Sequence, residues 1–306
     1  SLFFFTFVTS QLINNTLNID MRNIVKKTTL VSSLVLALSA NSMYAQSFEW
    51  ISSTEGNTWQ RSKAKLQTNA AQTPILDVNG SEEGTVFKAW GTCFNELGWD
   101  ALNMLPRKEQ ETILHKLFSP EGELRFTMGR FSMNANDYAR DWYSCDEVPG
   151  DFQLKYFNIN RDNTTLIPFI KAAQQYNPNM TFWMSPWSPP SWMKINHYYS
   201  VRSDRNQNQM SPLSDVALFE GSKEKNTKVF PQQLAVNDYF IQDPRYLQTY
   251  ANYFCKFIDA YKQQGIAISM VMFQNESWSY TNYPGCAWTA EGIIRFNTEY
   301  LAPTLK

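Results

Sequence analysis

The sequence predicts an α/β fold in which strands and helices alternate and the strands form a parallel sheet. From residue 87 onward, short apolar runs alternate with segments whose apolar residues recur at helical spacing. Polar and aromatic residues follow the ends of the apolar runs, and a β/α barrel carries its site at the carboxyl ends of its strands. We therefore predict that residues 87–306 form the first half, about four β/α units, of a (β/α)8 TIM barrel.

The predicted strands and helices differ in their apolar pattern. The last strand is apolar on both faces, as is typical of a parallel strand covered on both sides. The clearest helix lies before it, with an apolar face at helical spacing and Gly265 as a stop signal. The polar segment 196–243 fits either a functional loop or a disordered one. The four predicted strands are VFKAWGTCF, LRFTMGRFSM, MTFWMSPW and IAISMVMF.

The region before residue 87 divides into three parts. Residues 46–86 contain the short runs FEWISS, KAKLQT and PILDVN, which predict two or three strands of a small side β domain. Residues 21–45 have the basic start, apolar centre and small-residue end of a signal peptide, and residues 1–20 are predicted to be a translated upstream segment. We expect a protein that is secreted, periplasmic or at the cell surface, with no transmembrane span after signal removal.

Composition narrows the class of ligand. The 306 residues carry a net charge of -1, which provides no basic field for nucleic acid. Four cysteines form no CxxC pair and there are two histidines, so we expect no metal and no other cofactor. Aromatic residues make up 15% of the chain. Such rings often line sites for amphipathic ligands such as sugars, although large aromatic cores also use them.

Glu276 is the leading candidate for chemistry. In SMVMFQNESWSY, an apolar run ends in Gln274, Asn275 and Glu276 and then meets two aromatic residues. A carboxyl group in this position is suited to act as a general acid, and the neighbouring Asn275 is suited to bind a substrate hydroxyl. The alternative is a strand-end glutamate that only reaches water.

Several segments, which follow one another along the chain, carry a family resemblance. They are GTCFNELGWDALNMLP, GRFSMNANDYA, DFQLKYFNINRDNTTLIPFIKAA, SPWSPPSWMK, QNE and NYPGCAWTAEG. From about Trp90 to Lys306, the chain resembles glycoside hydrolase family 30, which includes lysosomal glucosylceramidase and bacterial β-1,6-glucanases. The resemblance implies a retaining β-glycosidase on a TIM barrel with a side β-sandwich. Its partner would be a β-linked, gluco-configured oligo- or polysaccharide.

The resemblance also implies roles for single residues. Glu276 matches the general acid/base and Asn275 the residue that binds the sugar 2-hydroxyl. Asp137 and Trp187 match residues that hold the sugar, and Arg130 matches an arginine that supports the catalytic carboxylates. Other readings remain for three of them: a turn cap for Asp137, core packing for Trp187 and a buried salt-bridge partner for Arg130. The flanking prolines favour a rigid rim platform for Trp187.

Two departures from the family pattern affect these expectations. FNELGW replaces the usual Thr-Asp at the first strand end, which would put Glu96 near the sugar; the alternative is a helix-start carboxylate favoured by the helix dipole. The family's nucleophile is a glutamate on the seventh strand, and the chain ends at Lys306 within the fourth helix. We therefore expect a truncated, inactive fragment of the enzyme. The alternative is a non-catalytic carbohydrate-binding protein with a degenerate cleft.

Overall fold

The computed structural model describes residues 47–65, 84–210 and 237–306. Contacts between residues divide the chain into two units, Ser1–Gly84 and Thr85–Lys306. The predicted upstream segment, the signal peptide and the run PILDVN lie outside the described residues, so these assignments stay predictions.

In the first unit, the described residues form an antiparallel pair of strands. Strand β1 (Ser47–Thr54) pairs with strand β2 (Asn57–Lys65). Gly56 in the connecting turn has φ +79°, a conformation that glycine adopts without steric cost. The pair confirms a short antiparallel sheet before the barrel.

In the second unit, four parallel strands form one sheet. They are β3 (Gly91–Phe94), β4 (Met128–Met133), β5 (Thr181–Pro186) and β6 (Ile268–Val271). Their order in the sheet is β3-β4-β5-β6, so each strand pairs with the preceding strand of the sheet. The predicted parallel sheet with alternating strands and helices is therefore confirmed.

Helices connect the strands and follow the last one. They are α1 (Glu96–Asn103), α2 (Arg107–Phe118), α3 (Leu166–Tyr176), α4 (Pro244–Gln263), α5 (Ala290–Arg295) and α6 (Ala302–Leu305). Short 3-10 turns span Asp162–Thr164 and Ser191–Met193, and a π-helical turn spans Phe296–Leu301 between α5 and α6. None of the helices among the described residues is long and apolar enough to cross a membrane.

Helix α4 begins and ends as its sequence predicts. The Asp243 side chain accepts a hydrogen bond from the Arg245 N–H, and Pro244 occupies the first turn, where its missing N–H costs nothing. Gly265 follows the helix with φ +76°. The apolar face of α4 is buried, and its Tyr261 ring stacks on Phe131 of β4 with centroids 4.7 Å apart.

Gly129 allows the middle of the sheet to pack tightly. A Cβ atom at this position would lie 2.5 Å from the Phe94 ring and 2.9 Å from the Phe182 ring, closer than side chains can approach. Phenylalanines from the two neighbouring strands therefore meet over a residue without a side chain.

Strand β6 differs from its prediction. It was expected to be buried on both faces, but the Met270 side chain is 47% exposed. The reason is its place in the sheet, because β6 is an edge strand among the described residues.

Candidate active site

Glu276 follows strand β6 in a turn that is tied to the end of strand β5. The Asn275 N–H donates to the Pro186 carbonyl oxygen over 2.8 Å, and the Gln274 side-chain amide donates to the Trp187 carbonyl oxygen over 2.6 Å. Glu276 has φ +48°, a left-handed conformation that is uncommon for a residue with a side chain. Such strain persists only where neighbouring contacts hold it. These bonds fix the backbone that carries the exposed Glu276 side chain.

Tyr283 contacts the Glu276 carboxylate directly. Its hydroxyl donates to Glu276 Oε2 over 2.8 Å. Partial burial raises the pKa of Tyr283 above its usual range, and the hydrogen bond to Glu276 and the negative charges of Glu276 and Asp137 raise it further. The hydroxyl is therefore a neutral donor at physiological pH. The predicted site residues did not include Tyr283, although the motif NYPGCAW, which contains it, could have drawn attention to it.

Arg130 holds Asn275 in a defined orientation. Its Nη2 atom donates to Asn275 Oδ1 over 2.6 Å and to Ser185 Oγ over 2.9 Å. A guanidinium group can only donate, so it selects the oxygen of the Asn275 amide. The Nδ2 group of Asn275 is thus left to donate to a ligand. The buried Nε atom of Arg130 has no hydrogen-bond partner among the described residues.

Two tryptophan rings flank the Arg130 guanidinium. Its central carbon lies 4.4 Å from the Trp187 ring centroid and 4.8 Å from the Trp183 centroid, within the range of cation–π attraction. Trp187 is only 7% exposed, so its ring is not the rigid rim platform that was predicted but packs against the Arg130 guanidinium. A contact between Trp187 and a sugar stays a prediction. Close to Glu276 in the chain, the exposed ring is Trp278, at 55%.

Asp137 lies in the loop after strand β4, within electrostatic reach of Glu276 and Arg130. Loss of surrounding water raises the pKa of Asp137, and the negative charge of Glu276 adds to this effect. Hydrogen bonds from the N–H groups of Asp137 and Tyr138 and the positive charge of Arg130 act in the opposite direction and are outweighed. The structure thus places Asp137 near enough to Glu276 for their charges to interact.

Glu96 requires a correction. It is 1% exposed, and its carboxylate accepts hydrogen bonds from Arg161 over 2.7 and 3.0 Å and from the Arg140 N–H over 2.9 Å. Burial acts to raise the pKa of Glu96, but these bonds and the Arg161 charge outweigh it and hold the pKa below its usual range. A carboxylate so fully paired is not available to bind a sugar hydroxyl. Glu96 instead anchors the loop after β4 to the start of helix α1.

These side chains can perform acid–base chemistry on a neutral ligand. Glu276 is an exposed carboxyl group with one neutral donor on it, and Asn275 and Asp137 offer polar groups nearby. Among the described residues, no group of three or more His, Cys, Asp or Glu side chains is arranged to hold a metal ion.

Comparison with known proteins points to one family. Residues 87–208 match the family model described as the glycosyl hydrolase family 30 TIM-barrel domain. A Caenorhabditis elegans relative named as a glucosylceramidase is 30% identical over 229 residues, which are 74% of this chain and 38% of that protein. Endo-1,6-β-D-glucanase neg1 of Aspergillus fumigatus is 26% identical over 217 residues, 70% of this chain and 39% of that protein.

A solved structure supports the fold. The endo-β1,6-glucanase BT3312 superposes with a TM-score of 0.56 at 24% identity, covering 74% of this chain and 43% of that one. The chain thus spans about two fifths of the length of the proteins that it matches. Members of the matched family are glycoside hydrolases. The resemblance carried by the sequence motifs is confirmed over residues 87–208, which match the glycoside hydrolase family 30 TIM-barrel domain.

Proposed function

We propose that the protein is a retaining β-glycosidase that acts on a β-linked, gluco-configured glycan, with Glu276 as its general acid/base. The observation that carries the proposal is the cluster at the strand ends. Within it, Tyr283 holds the Glu276 carboxyl group and Arg130 orients Asn275. The names of the relatives make β-1,6-glucan and β-glucosyl lipid the substrates to test first.

In the proposed reaction, Glu276 has two tasks. It first gives a proton to the oxygen of the leaving group as the glycosidic bond breaks, and it later takes a proton from the water that releases the sugar. Tyr283 donates to the carboxylate form that exists between these steps. The Asn275 amide nitrogen would donate to the sugar 2-hydroxyl, where hydrogen bonds strengthen in the transition state.

A second carboxyl group must act as the nucleophile, about 5–5.5 Å from the first in retaining enzymes. The family resemblance implies a glutamate on the seventh strand of the barrel for this role. The Nε–H of Arg130, which has no partner in the part of the chain that the structure describes, supports this proposal, because a buried donor calls for an acceptor and a carboxylate is a strong one. Arg130 would then connect Asn275 with the nucleophile.

The full-length protein with Glu276→Ala tests the proposed role. We expect hydrolysis of β-1,6-glucan to fall by about 100-fold or more, since general acid catalysis contributes this much. Activated aryl β-glucosides need little protonation, so the first step on them should lose far less. Added azide should yield a β-glycosyl azide, because azide attacks the covalent intermediate without a general base.

Glu109→Ala is the matched control, since Glu109 is an exposed glutamate on helix α2. It should retain wild-type rates on both substrates. Equal losses by Glu276→Ala on all substrates, without an azide product, would contradict the acid/base role. A wild-type protein that binds glucan but hydrolyses none would instead favour a carbohydrate-binding protein.

A further inference from the structure

Lys194 is a buried lysine that the proposed chemistry does not use. It follows the turn Ser191–Met193 after strand β5, and its side chain is 0% exposed. Burying an ammonium group is costly unless its donors are satisfied. Among the described residues, Lys194 has no salt-bridge partner within 4 Å, so its position calls for another explanation.

The Lys194 ammonium bonds to the backbone of two separate loops. Its Nζ atom donates to the Ser200 carbonyl oxygen over 3.1 Å and to the Gly285 carbonyl oxygen over 2.6 Å. The Tyr239 ring lies beside it, with its centroid 5.8 Å away. Ser200 belongs to the loop after strand β5 and Gly285 to the loop after β6. We call them the Ser200 loop (residues 195–204) and the Gly285 loop (residues 277–288).

Backbone hydrogen bonds surround this lysine and join the same two loops. The Gly285 N–H donates to the Tyr199 carbonyl oxygen over 3.0 Å. The N–H groups of Val201 and Arg202 both donate to the Thr281 carbonyl oxygen, over 3.1 and 2.7 Å. Lys194 therefore completes a compact hydrogen-bonded junction from its buried side.

The Gly285 loop carries the contact to the proposed acid/base. Tyr283 lies two residues before Gly285 and donates to Glu276, which directly precedes the loop. A movement of Gly285 would thus be passed through two residues to the Tyr283 hydroxyl. We propose that Lys194 is a positioning residue for Glu276: by tying the two loops together, it keeps the Tyr283 hydroxyl on the Glu276 carboxylate. This inference rests on the proposed function.

The ionisation of Lys194 gives the junction a pH signature. Burial lowers the pKa of Lys194 to about 8, although the nearby Cys286 and Glu147 act to raise it. A neutral amine keeps N–H donors for both carbonyls, so loss of the proton does not remove the bonds. If the loops separate, Lys194 meets water and its pKa returns to about 10.4. Protonation of Lys194 therefore favours the state in which the two loops have separated. The closed junction should become more stable as pH rises from about 8 to about 10.

Lys194→Met, which keeps the chain length and removes the donors, tests the proposal in the full-length protein. Hydrogen exchange should speed up at Gly285, Val201 and Arg202 but not in helix α4. The loss of kcat/KM should be about 100-fold on β-glucosides with poor leaving groups and under about 3-fold on activated aryl glucosides. Lys256→Met is the matched control, because the exposed Lys256 also donates to a backbone carbonyl, that of Leu154, over 2.6 Å.

Three outcomes would overturn the proposal: unchanged exchange in the two loops, equal kinetic losses on both substrate types, or the same behaviour in Lys256→Met. If Lys194→Met fails to fold, hydrogen exchange of the wild-type protein tests the proposal instead. After correction for intrinsic rates, its Gly285 exchange should slow between pH 8 and 10, and a flat profile would refute the junction. A wild-type protein without glycosidase activity would refute the proposed function and the positioning role, while the exchange data would still show whether the junction exists.

Discussion

Glu276 and Glu96 both follow the end of a parallel strand, and the structure gives them opposite surroundings. Glu276 is exposed and accepts one hydrogen bond from the neutral Tyr283 hydroxyl. Glu96 is buried and is paired with a guanidinium group and a backbone N–H. The first carboxyl group is accessible to a ligand, whereas the second is held in its charged form.

Glu96→Gln should therefore reduce stability without changing specificity. The substitution keeps the shape but removes the charge that pairs with Arg161. We expect the free energy of unfolding to fall by about 2 kcal/mol, because one partner of a buried charge-assisted pair is lost. Urea unfolding measures this change, and rates on gluco- and galacto-configured aryl glycosides measure specificity.

Asp141→Asn is the control for this prediction. Asp141 also contacts Arg161, but its side chain is 67% exposed, and exposed ion pairs contribute under about 1 kcal/mol. A change in the glucoside-to-galactoside ratio in Glu96→Gln would restore the prediction that Glu96 reads a sugar hydroxyl.

The sequence did not predict which side chains of the site contact one another. Glu276, Asn275 and Asp137 were predictable, because strand ends converge at one edge of a parallel sheet. The partner of Glu96, Arg161, lies 65 residues further along the chain, and no local pattern connects them. Tyr283 and Lys194 lie in irregular loops, where no periodicity indicates which side chains turn inward.

At the scale of elements, the turn before helix α3 contains a buried acid. Asp162 is 0% exposed, and the hydroxyls of Tyr143 and Tyr261 donate to its carboxylate over 2.8 and 2.7 Å. Burial raises the pKa of Asp162 to about 6, and the two tyrosine bonds only partly oppose this effect. The turn is thereby attached to helix α4 through a carboxyl group that binds a proton at a higher pH than an exposed aspartate does.

Asp162→Asn should remove a pH dependence of stability. The folded-state pKa of about 6 exceeds the unfolded value of about 3.9, so the folded state binds more protons between these values. Wild-type stability should thus fall by about 2 kcal/mol relative to the variant as pH rises from about 4 to 6. Urea unfolding at several pH values measures the difference.

Asp259→Asn is the control, because Asp259 is an exposed aspartate on helix α4. This variant should show the same dependence of stability on pH as the wild-type protein. Parallel profiles for wild type and Asp162→Asn would contradict the assignment of this proton to Asp162.

The elements themselves were largely predictable. The spacing of apolar residues and the residues that end each element located the four strands and helix α4. Burial of one face imposes a regular spacing of apolar residues on strands and helices alike. The exposure of β6 was not predictable, since an apolar run contains no information about which neighbours cover it. The turn between β1 and β2 was not among the predictions, although Gly56, which adopts the required conformation at little cost, could have indicated it.

At the scale of the whole molecule, we also propose that the protein is exported. We propose that residues 21–45 act as a signal peptide. Expressed in a bacterial host from Met21, the mature protein should begin near Gln46 and be recovered from the periplasm or medium. N-terminal sequencing reads the cleavage point directly. A soluble cytoplasmic form that retains Met21 would contradict export.

The order of the strands in the sheet also bears on how the protein is made. Among the described residues, β4, β5 and β6 each pair with the parallel strand that leaves the ribosome before them. Arg130 and Asn275 are 145 residues apart, which corresponds to a delay of roughly 7 to 30 s at usual rates of synthesis. The arginine and its tryptophan walls are therefore synthesised before the glutamate that we propose as the general acid/base.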